Sequence, residues 1–212
     1  MKNYINHSWL SHTLALIVLL TAVTSGCKKD PPKVIPTLST TNATEITSAT
    51  ATVGGTISDD GGAFVTACGV CWSTSQGPTI AGSKVSGNIS GGNFSCSITG
   101  LNPGTTYYAI AYAINSVGTA YGTQITFTTQ SVLPQLTTTE ILGISTTAAT
   151  CGGDITNDGG ASIIARGVCW STKENPTTDD EKTINGMGSG VFASSIAGLA
   201  PGTKYYVRAY AT

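Results

Sequence analysis

The chain has 212 residues, 10% of them charged, and a formal net charge of −1 at pH 7. Its Lys and Arg residues are scattered, so it lacks the basic patch of a nucleic-acid-binding protein. Gly is abundant at 26 residues, and alternating Val, Ile and Tyr favour strands joined by tight turns over helices. The length accommodates two domains of about 100 residues each.

Residues 1–26 have the features of an export signal. A basic residue, Lys2, precedes an apolar run from Leu14 to Val23, and this run is too short to span a membrane as a helix. The small residues Thr24-Ser25-Gly26 stand directly before Cys27. Two interpretations remain open: an ordinary secretory signal with a chance cysteine, or a signal cleaved before an acylated cysteine.

The small residues before Cys27 resemble a bacterial lipobox, although Thr24 stands where leucine is commonest. The resemblance implies that Cys27 becomes the first residue and carries acyl chains that hold it in a bilayer. Residues 27–35 then form a charged tether stiffened by proline. Lys28 followed by Asp30 resembles the export signals of Bacteroidota surface lipoproteins, which implies a lipid-anchored location at the outer membrane or cell surface.

After the tether, one sequence unit occurs twice. Residues 36–129 are the first repeat, residues 134–212 are the second, and residues 130–133 link them; the second repeat aligns without a gap on residues 36–114 of the first. A repeat of this length is a complete domain, because solenoid units have only about 20 to 50 residues. The aligned pairs, all with the same offset, include Pro36 with Pro134, Gly54-Gly55 with Gly152-Gly153, Trp72 with Trp170, Phe94 with Phe192, and Tyr107 with Tyr205.

Alternating hydrophobic residues predict seven short strands in the first repeat. Turns are expected at 59–62, 91–92 and 102–104, where Asp, Asn, Gly and Pro interrupt the alternation. Short strands at this spacing predict an all-β, immunoglobulin-like sandwich. The predicted strands cover residues 36–41, 49–57, 64–72, 84–87, 94–98, 107–113 and 124–128.

The phrase Leu-x-Pro-Gly-Thr-x-Tyr occurs at 101–107 and again at 199–205. It predicts that Tyr107 and Tyr205 are tyrosine corners, each with its ring in a core and its hydroxyl bonded to backbone. The phrase resembles the fibronectin type III family, and Gly-Val-Cys-Trp-Ser-Thr resembles repeats of Bacteroidota and Fibrobacter surface lipoproteins. The resemblance implies two tandem sandwiches, although Gly54-Gly55 stands where the family usually has a core Trp on strand B.

The second repeat departs from the first at its end. Thr212 falls within the strand that follows Tyr205, so the sequence lacks the last strand of the second sandwich. Two explanations remain open: the sequence is incomplete, or another chain donates the strand.

Both histidines, His7 and His12, lie in the predicted signal. The processed chain therefore lacks a Ser-His-acid triad, a Cys-His pair and any zinc site with histidine, and we expect no catalytic activity, metal or cofactor. The loop acids are expected to form turns, with calcium binding as an alternative for the first three. They are Asp59, Asp60, Asp158, Asp179, Asp180 and Glu181.

Side-chain alternation assigns faces to the cysteines that follow Cys27. Arg166 occupies the place of Cys68 and is not expected inside, so strand C should point Cys68 outward and Cys71 inward. Inward cysteines of facing sheets then meet across each core and are candidate disulfides, with buried free thiols as the alternative. The candidate pairs are Cys71 with Cys96 and Cys151 with Cys169.

The same alternation places aromatic residues of strands C and F on an outer face. Exposed rings on a flat sheet stack on sugars or on a partner surface. The alternative is that cross-strand aromatic and cation–π pairs shield the sheet, with Arg208 over an aromatic ring. The face comprises Trp72, Tyr108 and Tyr112 in the first repeat and Trp170, Tyr206, Arg208 and Tyr210 in the second.

Together these features predict a non-catalytic, lipid-anchored envelope protein that serves as a spacer or protein-interaction module. The alternatives are a glycan-binding lipoprotein of a polysaccharide-uptake system and a pilus or adhesin subunit that accepts a donor strand. The expected partners are the membrane and a protein or glycan at the cell surface, and nucleic acid is not among them.

Overall fold

The computed structural model describes residues 30–212, so the predicted signal and Cys27 lie outside the described residues. The secondary-structure elements in this range are β-strands, and they form antiparallel sheets that are consistent with a β-sandwich. The all-β prediction is therefore confirmed. Across residues 30–212 there is no helix of the length and hydrophobicity that a membrane crossing requires.

The first repeat forms two antiparallel sheets, with orders β1-β2-β5 and β4-β3-β6-β7, and β8 also pairs with β6. Along β5, exposed and buried residues alternate strictly, which is the pattern of a half-buried strand. The strands are β1 Thr37–Thr40, β2 Thr50–Asp59, β3 Ala67–Ser73, β4 Ser83–Ser86, β5 Asn93–Thr99, β6 Thr106–Ile114, β7 Thr119–Tyr121 and β8 Ile125–Thr128.

The second repeat has the matching sheets β9-β10-β13 and β12-β11-β14. Its strands are β9 Gln135–Thr138, β10 Ala148–Asn157, β11 Arg166–Ser171, β12 Glu181–Lys182, β13 Gly190–Ala197 and β14 Tyr206–Ala211.

Two strand predictions differ from the structure in position. β3 begins at Ala67 rather than at Phe64, whose side chain is 83% exposed in the preceding loop. β7 was not predicted, because the stretch that pairs with β6 is interrupted at Gly122. A Cβ there would lie 2.7 Å from Thr40 Oγ1, so β1 approaches the backbone too closely for any side chain.

Strand alternation predicted the buried faces of β2, β5 and β6 correctly. Val53, Cys96 and Ala111 from these strands all lie in one hydrophobic core. The core of the second repeat is built in the same way from β10, β13 and β14, which contribute Cys151, Phe192 and Ala209. The buried Ser194 stands at the position of Cys96.

β3, by contrast, turns the opposite face to the core from the one predicted. Cys68 and Val70 belong to the core and Cys71 does not. The prediction failed because Arg166, the counterpart of Cys68, was assumed to point outward. Its guanidinium carbon lies 5.4 Å from the centre of the Phe192 ring, and Nη1 donates to two loop carbonyls at 2.9 and 3.0 Å. The aliphatic stem thus packs on the core edge while the charged end reaches polar backbone.

The paired glycines of β2 make room for an aromatic ring from the neighbouring strand. A Cβ on Gly55 would lie 2.7 Å from Phe94 Cζ and 2.8 Å from Ala111 Cβ. On Gly153 it would lie 2.8 Å from two atoms of the Phe192 ring. The aromatic groups of the core therefore come from the strands beside and opposite β2 and β10, which have no space for the Trp of the family pattern.

Candidate functional site

The tryptophans predicted on the outer aromatic face lie on the core side instead. Trp170 belongs to the second core and is only 9% exposed. Trp72 packs against the first core. Both lie on strands whose faces were assigned in reverse, so the predicted platform loses its largest rings.

Tyr112 and Tyr210 do lie on the outer face, where each ring covers a glycine. A Cβ on Gly69 would lie 2.9 Å from Tyr112 Cε1, and one on Gly167 would lie 3.0 Å from Tyr210 Cε1. Tyr210 Oη donates a hydrogen bond to Thr183 O at 2.6 Å. These rings cover the sheet, which explains why the repeated Gly-Val-Cys-Trp-Ser-Thr motif begins with glycine.

Among the other members of the predicted face, Tyr206 makes polar contacts with neighbouring side chains. Tyr206 Oη donates to Glu174 Oε1 at 2.9 Å and accepts from Lys204 Nζ at 2.9 Å. Lys204 Nζ also lies 4.5 Å from the centre of that ring, so Lys204, and not Arg208, supplies the cation. Arg208 is exposed and Tyr108 is half-buried.

The predicted disulfides are not present, and the five described cysteines are buried free thiols. Cys71 Sγ donates to two backbone carbonyls at 3.4 Å on the side of β3 away from the core that contains Cys96. Cys169 Sγ makes the same contacts at 3.3 and 3.5 Å, whereas Cys151 lies in the second core. Each predicted pair is separated because Cys71 and Cys169 lie on the side of their sheet away from the core, whereas Cys96 and Cys151 belong to the facing sheets and point into the cores.

Cys68 was predicted to be exposed and is instead 2% exposed. Its Sγ donates to Gly87 O at 3.4 Å, and a Cβ on Gly87 would lie 3.0 Å from Cys96 Sγ. The pKa of Cys96 is raised to about 11, mainly by burial and to a smaller extent by the nearby Cys68. Burial also raises the pKa of Cys68. Both thiols are therefore protonated and unreactive at neutral pH.

The acidic turn residues accept hydrogen bonds from their own turns. Asp59 Oδ1 and Asp60 Oδ1 each accept from the backbone N–H two residues ahead, at 2.7 and 2.8 Å, and Asp158 Oδ1 does the same at 2.9 Å. Asp180 Oδ2 accepts from Thr177 N at 2.9 Å. The turn-forming role predicted for these carboxylates is confirmed.

The predicted tyrosine corners are present in both repeats. Tyr107 Oη accepts from Asn102 N at 3.0 Å, and Tyr205 Oη accepts from Ala200 N at 3.2 Å. The buried Tyr107 ring also stacks on Phe127, with ring centres 5.8 Å apart. Tyr205 is only half-buried, because no described residue occupies the place of Phe127 in the second repeat.

β14 has one open edge in the described part of the chain. In the first repeat, β6 pairs with β3 on one side and with β7 and β8 on the other, whereas β14 pairs only with β11. A cavity of about 140 Å³ lies where the Phe127 side chain would fit. Its apolar lining includes Ile144, Ala149, Trp170, Ile196, Tyr205 and Val207.

The two repeats touch through the backbones of two glycine turns. A Cβ on Gly104 would lie 1.8 Å from Gly160 O, and one on Gly160 would lie 2.4 Å from Pro103 O. Residues Pro32–Thr212, which contain both repeats, form one compact unit. The local sequence does not predict this contact, because each glycine is recognisable only as a turn residue and its partner belongs to the other repeat.

The short linker is hydrogen-bonded to both repeats. Gln130 N donates to Thr47 O at 3.0 Å and Gln130 O accepts from Gly104 N at 3.2 Å in the first repeat. Val132 N donates to Gly159 O at 2.8 Å in the second. We call these contacts, together with the Gly104–Gly160 contact, the joint.

The outer ends of the two repeats present the same turns without a partner in the described residues. Positions equivalent to Gly160 and Gly104 are Gly62 in the first repeat and Gly202 in the second, and an added Cβ meets nothing within 4 Å at either.

Comparison with models of known protein families finds no match, and comparison with curated proteins finds none either.

Proposed function

We propose that this chain is a non-catalytic, lipid-anchored protein of the bacterial envelope whose tandem fibronectin type III-like sandwiches act as a spacer and protein-interaction module. Residues 1–26 are its signal peptide and Cys27 its acylated residue. The joint is the observation that carries the spacer role, because a linker bonded on both sides holds the two repeats at a fixed separation.

The spacer role requires that the joint be rigid in the membrane-anchored protein. Spin labels on Ser75→Cys and Lys173→Cys, corresponding exposed loop positions of the two repeats, give the distance between them by pulsed electron resonance. The native thiols of residues 30–212 are buried, so the labelling reagent reaches them slowly. We expect one narrow distance distribution, and a broad distribution typical of freely moving domains would contradict the spacer role.

The anchor is tested separately by intact mass and by incorporation of a fatty-acid analogue in cells. We expect acylation of the wild type and none of Cys27→Ser. An unmodified wild type would remove the anchor from the proposal and leave the joint untouched.

A second candidate function, acceptance of a donated strand, is supported by the open edge of β14 and the cavity beside it. Main-chain hydrogen bonds and a side chain in a pocket are the two elements of such binding. A peptide of residues 119–129 carries both, since it contains β7, β8 and Phe127. The glycan alternative has no comparable support, because its tryptophans face the cores.

The full-length chain is titrated with this peptide, and with the same peptide carrying Phe127→Ser, while thermal unfolding is followed. Donation predicts that the natural peptide binds and raises the unfolding temperature of the second repeat and that the substituted peptide is much weaker. Equal effects of both peptides, or no effect of either, would contradict strand acceptance.

A further inference from the structure

The end of the first repeat where the chain enters carries an exposed apolar face. We call it the N-terminal face and define it by Val34, Ile35, Phe64, Ile89 and Val117, which are 44 to 83% exposed. Contiguous exposed apolar surface of this kind marks an interaction site in soluble domains.

The loops that carry this face are held together by hydrogen bonds. Asn115, itself buried, donates from Nδ2 to Val34 O at 2.7 Å and to Asp60 O at 2.8 Å. Its Oδ1 accepts from Val117 N at 2.9 Å. The chain entry, the β2–β3 loop and the β6–β7 loop are thus fixed in one preformed arrangement.

Phe64 and Ile89 complete the face on a shared cavity. They line a cavity of about 470 Å³ together with Ile57 and Val65. Phe64 is 83% exposed and leaves its ring in solvent. The corresponding residue of the second repeat is Ser162, so folding of the repeat does not require an aromatic ring at this place.

Chain length restricts what can cover this face. The segment from Cys27 to Val34 reaches at most about 25 Å even when fully extended. If Cys27 carries the acyl chains of the proposed function, the N-terminal face lies within that distance of the bilayer. The corresponding end of the second repeat is instead placed against the first repeat at the joint.

The charges around the face favour a zwitterionic lipid surface. The positively and negatively charged residues of the tether and the β2–β3 turn are equal in number in the sequence, so neither anionic nor cationic surfaces are strongly selected. They are Lys28, Lys29 and Lys33 against Asp30, Asp59 and Asp60.

We propose that the N-terminal face is a membrane contact, with Phe64 and Ile89 inserted into the interfacial region of a zwitterionic phospholipid bilayer so that the first repeat stands on the surface to which it is anchored. The proposal rests on the acylation in the proposed function. Binding to a bilayer interface strengthens with the apolar area that is buried in it.

The test uses full-length acylated protein in vesicles of zwitterionic phospholipid that include a photoactivatable lipid. After illumination, peptide mapping locates the attached lipid. We expect labelling of the peptides that contain Phe64 and Ile89, and at least a fivefold weaker signal on Ile164 and Met187, exposed apolar residues of the second repeat. Phe64→Ser should reduce labelling of the first repeat about fivefold, and the matched variant Ile164→Ser should not.

Three results would overturn the proposal. If the protein is acylated but its loops are not labelled, the membrane contact is contradicted and the anchor is not. If the protein lacks the acyl mass, the anchor is contradicted as well. Concentration-dependent self-association that Phe64→Ser abolishes would show that a second copy covers the face. An unchanged unfolding temperature of Phe64→Ser shows that reduced labelling does not come from misfolding.

Discussion

Gly104 and Gly160 meet backbone to backbone across the joint, with no room for a side chain on either residue. Such a contact buries little apolar surface, so its role is geometric. It fixes where the turn of one repeat sits on the other, and the bonded linker keeps it there.

The joint predicts a difference between matched alanine substitutions. Gly62, Gly104, Gly160 and Gly202 all have positive φ, so alanine at any of them should cost about 1 to 2 kcal/mol from backbone strain alone. Only Gly104→Ala and Gly160→Ala also clash across the joint. We expect these two to broaden the distance distribution between spin labels on the two repeats, while Gly62→Ala and Gly202→Ala leave it narrow. Equal broadening by all four would show that the joint has no special role.

The tyrosine corners predict unequal effects of one substitution in the two repeats. Tyr107→Phe leaves Asn102 N without its acceptor beside a buried ring, and should cost about 1 to 2 kcal/mol in the free energy of unfolding. Tyr205→Phe should cost less, because its ring is half-buried and water reaches the freed N–H. Denaturant unfolding followed by signals specific to each repeat measures both, and a larger cost at Tyr205 would contradict this order.

The buried thiols predict a loss of stability in alkaline solution. The pKa of Cys96 is about 11 in the folded chain against an ordinary value of 9.0, so the unfolded chain releases a proton between these pH values and the folded chain retains it. Stability should therefore be independent of this group below pH 9 and fall as pH rises from 9 to 11, by at most about 1.4 kcal/mol per pH unit. Cys96→Ser, which introduces the residue found at Ser194, should flatten the decline.

Free thiols also predict that the intact mass of the protein is the same with and without reductant. Alkylation at pH 8 should be slow in native protein and complete in denaturant, because the described thiols are buried and burial raises the pKa of Cys68 and Cys96. A loss of two mass units per disulfide in non-reduced protein would contradict the free-thiol assignment.

Trp170 predicts a loss of stability rather than a loss of sugar binding. Trp170→Ala removes a large group from the second core and should destabilise that repeat by about 3 kcal/mol. Tyr108→Ala, on the outer face of the first repeat, should have a smaller effect. Retarded migration in polysaccharide gels that disappears in Trp170→Ala, with unfolding unchanged, would restore the glycan hypothesis.

Alternation predicted most of the strands and of the core, because the core-facing positions of β2, β5 and β6 recur with the period of a strand. It failed at β3, where one residue decided the face. Arg166 was assigned to solvent by its charge, but an arginine at a strand end buries its stem and keeps its charged end on loop carbonyls. The predictions of the disulfides and of the aromatic platform were wrong for the same reason.

The joint and the N-terminal face were beyond prediction from local pattern. Gly160 shows in the sequence only as a turn glycine, and nothing near it indicates Gly104 as its neighbour. Phe64 was predicted in a strand because an aromatic residue beside Val65 favours strands. Phe64 lies instead in the β2–β3 loop, which Asn115 holds at Asp60 from a distant part of the chain.

The glycine contact has a consequence for how proteins of this kind can grow. The turn around Gly104 lies at one end of its repeat and the turn around Gly62 at the other, so a single repeat carries both sides of the glycine contact. Duplication of the coding segment then adds a unit that already matches its neighbour, with the same rotation and translation at each step. The length of the array is then set by the number of copies, without any new interface having to evolve.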